Sequence, residues 1–111
     1  MRPRRTDANQ TEIIEAFRKA GCSVRSVHMV GSGFPDLVVG YGGLSMLIEV
    51  KDGSKPPSAQ KLTEDEEAFH ANWTGGVRLV RGLDDVPPTV ETLKWWHKAI
   101  TCSIHVEQIN G

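Results

Sequence analysis

The sequence predicts a single α/β domain whose elements follow one another in the order α-β-β-β-α-β-α. Apolar residues make up 39% of the 111 residues, which suits one modest core and leaves little room for a second module. Two apolar runs flank the pair Gly42-Gly43, which predicts a β-hairpin because paired glycines supply the positive φ angles of a tight turn. Apolar residues recur at helical spacing before and after that hairpin. No apolar run approaches the length of a membrane span.

The first helix is predicted from a capping pattern. Asp7-Ala8-Asn9-Gln10 fits a capping box, so a helix is expected to run from there to about Ala20 and to stop at Gly21. Its apolar stripe consists of Ile13, Ile14, Phe17 and Ala20. The weak alternation from Ser23 to Met29 then predicts a first strand.

The hairpin consists of two apolar runs, Asp36 to Gly40 and Leu44 to Lys51. With Gly42 and Gly43 as the loop residues, Tyr41 pairs with Leu44, and the same register sets Asp36 directly across from Glu49. Strand side chains alternate in direction, so Lys51 points to the same face as Glu49 while Val50 points away. Three ionisable side chains are therefore expected to meet at one end of the hairpin.

The second half of the chain predicts further elements around a loop at Ser54 to Ser58. A helix begins at Thr63 and is marked by Leu62, Phe69 and Trp73, and a strand follows from Val77 to Arg81. After Pro87-Pro88 a last helix is expected from about Thr89 to Ala99, followed by a candidate closing strand from Cys102 to Val106.

The charges are nearly balanced, with a net charge of -1, which is unusual for a protein that binds nucleic acid. They are unevenly distributed, however, and much of the acid lies in Glu64 to Glu67. The basic residues that are candidates for binding a polyanion are Arg2, Arg4 and Arg5 at the start of the chain, followed by Lys55 and Lys61 near its middle.

The cysteine pattern and the N-terminus indicate a cytoplasmic protein. Cys22 and Cys102 match no closely spaced ligand motif, so reduced structural thiols are expected. The basic start MRPRRTDANQ is followed by no apolar stretch, so it does not resemble a secretory signal.

The facing carboxylates of Asp36 and Glu49 call for a compensating charge, because like charges directly opposite each other destabilise a sheet. A divalent cation is one solution, and two oxygen donors with room for water suit Mg2+. Neutralisation by Lys51 alone is the other solution, and the pattern leaves both open.

The segment that carries these three ionisable residues resembles a known family. Pro35-Asp36, followed by Glu49-Val50-Lys51, is similar to the signature of the PD-(D/E)xK nucleases, and the surroundings resemble the VRR-NUC branch, particularly its stand-alone phage-type members. The resemblance covers about Asp7 to Arg81 and includes the stretches DANQTEIIEAFRKAG, GFPDLVVG, LIEVKDGSKPPSAQKLT and HANWTGG. The implied organisation is a single nuclease domain with a basic arm over 1–6, a motif core over about 7–81 and a C-terminal extension over 82–111.

The resemblance implies a fold and an activity. The fold is a restriction-endonuclease-like α-β-β-β-α-β core with a mixed sheet flanked by helices, here followed by a C-terminal helix. The activity is Mg2+-dependent hydrolysis of DNA, with Mn2+ as a substitute. A homodimeric endonuclease that cuts branched DNA, Holliday junctions included, is expected, acting in the cytoplasm of a host cell if the chain is phage-encoded.

The resemblance also implies roles for individual residues. Asp36, Glu49 and the backbone carbonyl of Val50 would hold the metal, and Lys51 would orient or deprotonate the attacking water or balance phosphoryl charge. Glu12 on the first helix is a further candidate acid, although a solvated surface role is equally open. Glu66 is another candidate, with Glu67 as an alternative alignment, but the pattern Thr63-Glu64-Asp65-Glu66 already explains Glu66 as part of a capping box.

Several other residues are expected to have structural or surface roles and no part in catalysis. The four histidines (His28, His70, His97 and His105) show no ligand spacing. The loop Gly31-Ser32-Gly33 lacks the rest of any phosphate-binding fingerprint and is expected to allow close approach of the chain to the metal site. Trp95-Trp96 is expected to lie in the core or at a subunit contact. The rival functions are a non-catalytic DNA-binding or assembly module and a purely structural hairpin.

Overall fold

A four-stranded mixed sheet forms the middle of the molecule, in a computed structural model that describes residues 9–110 and the side chains of residues 9–102. The helices are α1 (Gln10–Lys19), α2 (Glu64–Asn72) and α3 (Val86–Asn110), and the strands are β1 (Ser23–Ser26), β2 (Leu37–Tyr41), β3 (Leu44–Val50) and β4 (Val77–Val80). The predicted order α-β-β-β-α-β-α is confirmed. Among the described residues, no helix is both long and apolar enough to cross a membrane.

The sheet has the order β1-β2-β3-β4. The first three strands pair antiparallel, whereas β3 and β4 run parallel because α2 carries the chain back across the sheet. In the hairpin, Tyr41 pairs with Leu44 and Leu37 pairs with Ile48, so the predicted register is confirmed.

The apolar core lies on one face of the sheet, beneath α1 and α3. Met46, Ile48 and Val50 point into it from β3, so the alternate residues Leu47 and Glu49 point to the opposite face. From α1 the core receives Ile13 and Phe17, as the stripe predicted, whereas Ala20 is exposed. Because Glu49 and Lys51 contact side chains of α2, this helix covers the second face. The molecule therefore has three layers, with the ionisable residues between the sheet and α2.

The first two elements differ in detail from the sequence prediction. Helix α1 begins at Gln10 after Asn9, while Asp7 of the predicted capping box lies outside the described residues. The predicted strand from Ser23 to Met29 is too long, because the ladder to β2 ends at Ser26 and a 3-10 turn follows at His28–Val30.

The predicted closing strand from Cys102 to Val106 is wrong, because α3 continues through it to Asn110. Neither glycine nor proline occurs between Thr89 and Asn110, so nothing in the chain stops the helix. The β-branched residues of this segment suggested a strand, but strand propensity is weak where no neighbouring strand is paired. The helix also begins before Thr89, since prolines are tolerated in a first turn, where their missing N–H groups are not needed.

Candidate active site

The hairpin register brings Asp36 and Glu49 together, as the sequence predicted. Asp36 directly precedes β2, whose ladder with β3 ends at the pair Leu37–Ile48, and the side chains of Asp36 and Glu49 share a hydrogen bond. The backbone N–H of Asp36 donates to the carbonyl of Ile48 at 3.0 Å, and the Val50 N–H donates to Oδ2 of Asp36 at 2.8 Å. The carboxylate of Asp36 is therefore held by backbone at the end of the hairpin.

Glu49 is a buried acid without adequate compensation. Its side chain is only 1% exposed, although it lies on the polar face of the sheet. Burial, a hydrogen bond with Asp36 and the negative charges of Asp36 and Glu66 raise the pKa of Glu49 to about 10. At neutral pH Glu49 therefore keeps its proton next to Asp36. Its Oε1 atom finds no hydrogen-bond partner among the described residues.

Lys51 points to the same face as Glu49 but forms its ion pair with a different acid. Its Nζ atom donates to Oε1 of Glu66 at 2.8 Å. The charge of Lys51 lowers the pKa of Glu49 less than burial and the neighbouring acids raise it. Neutralisation of the Asp36–Glu49 pair by Lys51 alone is therefore not what the structure favours.

Glu66 is part of the helix cap that the sequence predicted, and its side chain also contacts Lys51 at the candidate site. It forms the predicted capping box, since its N–H donates to Oγ1 of Thr63 at 3.2 Å and its Oε1 accepts from the Thr63 N–H at 2.8 Å. Burial disfavours its charge, but the hydrogen bonds from Lys51 and Thr63 outweigh burial and lower the pKa of Glu66. The next residue, Glu67, is exposed, so the alignment with Glu66 is the one that reaches the site.

His70 belongs to the site, although the sequence analysis gave it no role. Its Nε2 atom lies 3.8 Å from Oε1 of Glu49, and neither atom has a hydrogen-bond partner in the described part of the chain. Spacing between histidines could not reveal this residue, because its neighbour comes from β3. The available signal was its position one helical turn after Glu66, which puts both side chains on one side of α2.

The carboxylates of Asp36 and Glu49 are oxygen donors of the kind that Mg2+ prefers. Within residues 9–102, no cluster of three or more His, Cys, Asp or Glu side chains is placed to hold a metal. Mg2+ is usually bound through one or two carboxylates and keeps several waters. Asp36 and Glu49 supply two carboxylates, and the unpartnered Oε1 atom of Glu49 is an acceptor that a cation would satisfy.

The structure does not bring Glu12 to the two carboxylates. It is exposed on α1, where it lines an open cleft of about 770 Å³ together with Asn9, Asp52 and Arg81. Asn9 ties α1 to the sheet beside this cleft, because its amide donates to the carbonyls of Lys51 and Arg81 at 3.2 Å each. The sequence analysis did not identify this role of Asn9.

The candidate DNA-binding residues are only partly described. Lys55 and Lys61 are exposed in the segment that follows Lys51, and Gln60 closes this segment by donating to the Lys55 carbonyl at 2.7 Å. Arg2, Arg4 and Arg5 lie outside the described residues.

The glycine loop before Asp36 packs on α2. Gly33 has a φ of 82°, and a Cβ atom at this position would collide with the backbone of Asp65. The close approach was expected at the metal site, but the structure shows it at the first turn of α2, which carries Glu66.

No protein-family model, curated protein or solved structure matches the chain. The resemblance to VRR-NUC nucleases therefore rests on the sequence motifs alone, and the structural basis for a function is the geometry of Asp36, Glu49 and Lys51.

Proposed function

We propose that this protein is a magnesium-dependent deoxyribonuclease that hydrolyses phosphodiester bonds, with Asp36, Glu49 and Lys51 as its catalytic residues. One observation carries the proposal. Two carboxylates face each other at the end of the hairpin, and burial beside Asp36 keeps Glu49 protonated. A fold that retains such a destabilising pair beside a lysine is expected to use it, because perturbed carboxyl groups cluster at functional sites.

The roles follow from the contacts of each residue. Asp36, Glu49 and the carbonyl of Val50 would hold Mg2+, with Mn2+ as a substitute. When bound, the cation would polarise the phosphate and lower the pKa of a bound water. Lys51 would orient the attacking water or balance phosphoryl charge. Glu66 would act as a positioning residue, because it holds the Lys51 amine at 2.8 Å.

The substrate that we propose is branched DNA, four-way junctions included, cut by a structure-selective endonuclease that acts as a homodimer. A domain of this size offers little surface for reading base sequence, so backbone and shape recognition are expected. Exposed Lys55 and Lys61 follow Lys51 directly along the chain and are suited to phosphate contacts.

The test is cleavage of linear, flapped and four-way DNA in the presence of Mg2+, Mn2+ or EDTA. We expect cleavage of branched DNA with either metal and none with EDTA. Glu49→Gln and Lys51→Ala should each lower turnover by about 100-fold or more while DNA binding persists, because these groups act in the transition state. Glu67→Gln is the matched control, since this exposed acid adjoins Glu66 without reaching the site.

Two outcomes would contradict the proposal. Wild-type turnover by Lys51→Ala would remove the lysine from the mechanism. Binding of branched DNA without cleavage under any metal condition would favour the rival function, a non-catalytic DNA-binding or assembly module.

A further inference from the structure

Three aromatic side chains form a continuous row beside the candidate active site. Phe69 and Trp73 lie one turn apart on and just after α2, and their rings stack with centroids 5.2 Å apart and planes 19° apart. Phe34 packs edge-on against Phe69, with ring centroids 5.2 Å apart. We call Phe34, Phe69 and Trp73 the aromatic row.

The outer end of the row is open to solvent. Trp73 is 44% exposed although it stacks on Phe69 and its indole edge lies against Gly75, where an added Cβ would stand 2.8 Å from Nε1. The indole is thus held from two sides while much of its surface stays free. A cavity of about 390 Å³ adjoins it and is lined by Ser32, Asp65, Ala68, Phe69, Asn72 and Trp73.

The row shares its supports with the active site. Phe34 lies two residues before Asp36, and Phe69 directly precedes His70, whose Nε2 atom is 3.8 Å from Glu49. Gly33 packs against the backbone of Asp65 and so joins the loop of Phe34 to the first turn of α2. The aromatic row and the active site thus share the loop before Asp36 and helix α2, so we expect a strand bound at Asp36 and Glu49 to pass near the row.

The chemistry of the cavity selects a base over a phosphate. Asp65 is the charged residue in its lining, and no lysine or arginine lines it, so a phosphate would be repelled. A nucleobase is uncharged, and every base has a face that stacks on an aromatic ring. Ser32, Asp65 and Asn72 supply polar groups at the edge of the cavity.

We propose that the aromatic row binds an unpaired nucleobase of the DNA strand that enters the Asp36–Glu49 site. The inference rests on the proposed nuclease function, since it assumes that DNA is the ligand. It adds a substrate class, because a base that is already unpaired at a flap or branch point can stack there without the cost of melting a duplex.

The test compares wild-type binding of a fluorescent single-stranded oligonucleotide with binding of an abasic oligonucleotide that has the same number of phosphates, in EDTA to prevent cleavage. We expect the intact strand to bind roughly 5- to 100-fold more tightly, as stacking on an aromatic ring allows. Trp73→Leu keeps an apolar side chain without a ring and should abolish this preference, whereas Trp73→Phe should retain most of it. Ile100→Ala, at an exposed apolar side chain of α3, is the control.

Equal affinity of the wild-type protein for intact and abasic strands would overturn the inference, as would an undiminished preference in Trp73→Leu or the absence of binding to either strand. The wild-type comparison needs no variant, so a folding defect cannot hide the result. Parallel cleavage assays in Mg2+ separate the two proposals. If the protein prefers the intact strand but cleaves no DNA of any shape, branched DNA included, the nuclease function is contradicted and the aromatic row remains a base-binding site.

Discussion

The Nζ atom of Lys51 and the Oε1 atom of Glu66 lie 2.8 Å apart, and the same oxygen accepts a hydrogen bond from the Thr63 N–H that begins α2. One carboxylate oxygen thus links the lysine at the end of β3 to the N-terminus of the helix above it. The position of the helix and the position of the lysine amine are therefore coupled.

This coupling predicts different effects for two substitutions of Glu66. Glu66→Ala should lower the free energy of unfolding by roughly 1–3 kcal/mol, because it removes the acceptor for the Thr63 N–H and leaves the Lys51 amine without its partner. Glu66→Gln should lower it less, since an amide oxygen can still cap the helix. Urea denaturation measures both, with Glu67→Gln as a control that should stay within about 0.5 kcal/mol of wild type. Equal stability of wild type and Glu66→Ala would contradict the coupling.

The raised pKa of Glu49 predicts that stability falls as pH rises. In the unfolded chain Glu49 ionises near its ordinary pKa of 4.5, whereas in the folded protein it ionises at about 10. Between pH 4.5 and about 10, Glu49 is protonated in the folded protein but ionised in the unfolded chain. The stability that this proton contributes is therefore fully present below the unfolded pKa and is lost as pH rises to the folded pKa. The slope is at most about 1.4 kcal/mol per pH unit.

Urea denaturation in EDTA at about pH 6 and about pH 9 checks this expectation, because these two pH values span much of the range between the unfolded and the folded pKa of Glu49. Glu49→Gln should be more stable than wild type at the higher pH and should lose less stability between the two conditions. Glu12→Gln, at an exposed acid, should keep the wild-type dependence. Parallel profiles for wild type and Glu49→Gln would show that Glu49 is ionised in the folded protein.

The protonated state of Glu49 also shapes the expected response to magnesium. A cation that binds only the native state raises the melting temperature, by the equivalent of about 2.7 kcal/mol at 100 times its Kd. Because Glu49 must give up its proton, we expect about one proton to be released per cation at neutral pH and the affinity to increase with pH. Calorimetry in buffers of different ionisation enthalpy measures the protons released. Asp36→Asn should abolish the metal effect, and metal binding without proton release would contradict the assigned pKa.

The exposed lysines predict a salt-dependent interaction with DNA. Each phosphate contact contributes about 0.9 to the slope of log K against log salt. Replacing Lys55 and Lys61 together by alanine should therefore reduce that slope by roughly two, and deleting residues 1–5 should weaken binding to all DNA shapes alike. Lys98→Ala, on α3, is the control. An unchanged slope in the double variant would remove both lysines from the interface.

The tryptophan pair on α3 predicts how two copies would associate. Trp96 packs against the core, whereas Trp95 is 69% exposed and is the one available for a subunit contact. We expect wild type to be a dimer at micromolar concentration by sedimentation equilibrium and Trp95→Glu to be a folded monomer. Lys98→Glu is an exposed control on the same helix. A wild-type monomer, both free and on junction DNA, would rule out paired cleavage by a homodimer.

Local signals in the sequence determined a large part of this protein. The glycine pair set the hairpin register. This register and the alternation of strand side chains predicted that Asp36, Glu49 and Lys51 meet at one end of the hairpin. The capping box at Thr63 set the start of α2. Such features can be read from the sequence because turns, caps and strand alternation depend on residues within a few positions of one another.

Only the tertiary structure decided how these residues are partnered. In the folded protein His70 lies beside Glu49, and the Lys51 amine donates to Glu66. Asn9 donates to the carbonyls of Lys51 and Arg81, which directly follow β3 and β4. These contacts join elements that are far apart in the chain, so no spacing encodes them. The burial that raises the pKa of Glu49 likewise depends on α2 covering the sheet, because desolvation is a property of the assembled layers and not of the local sequence.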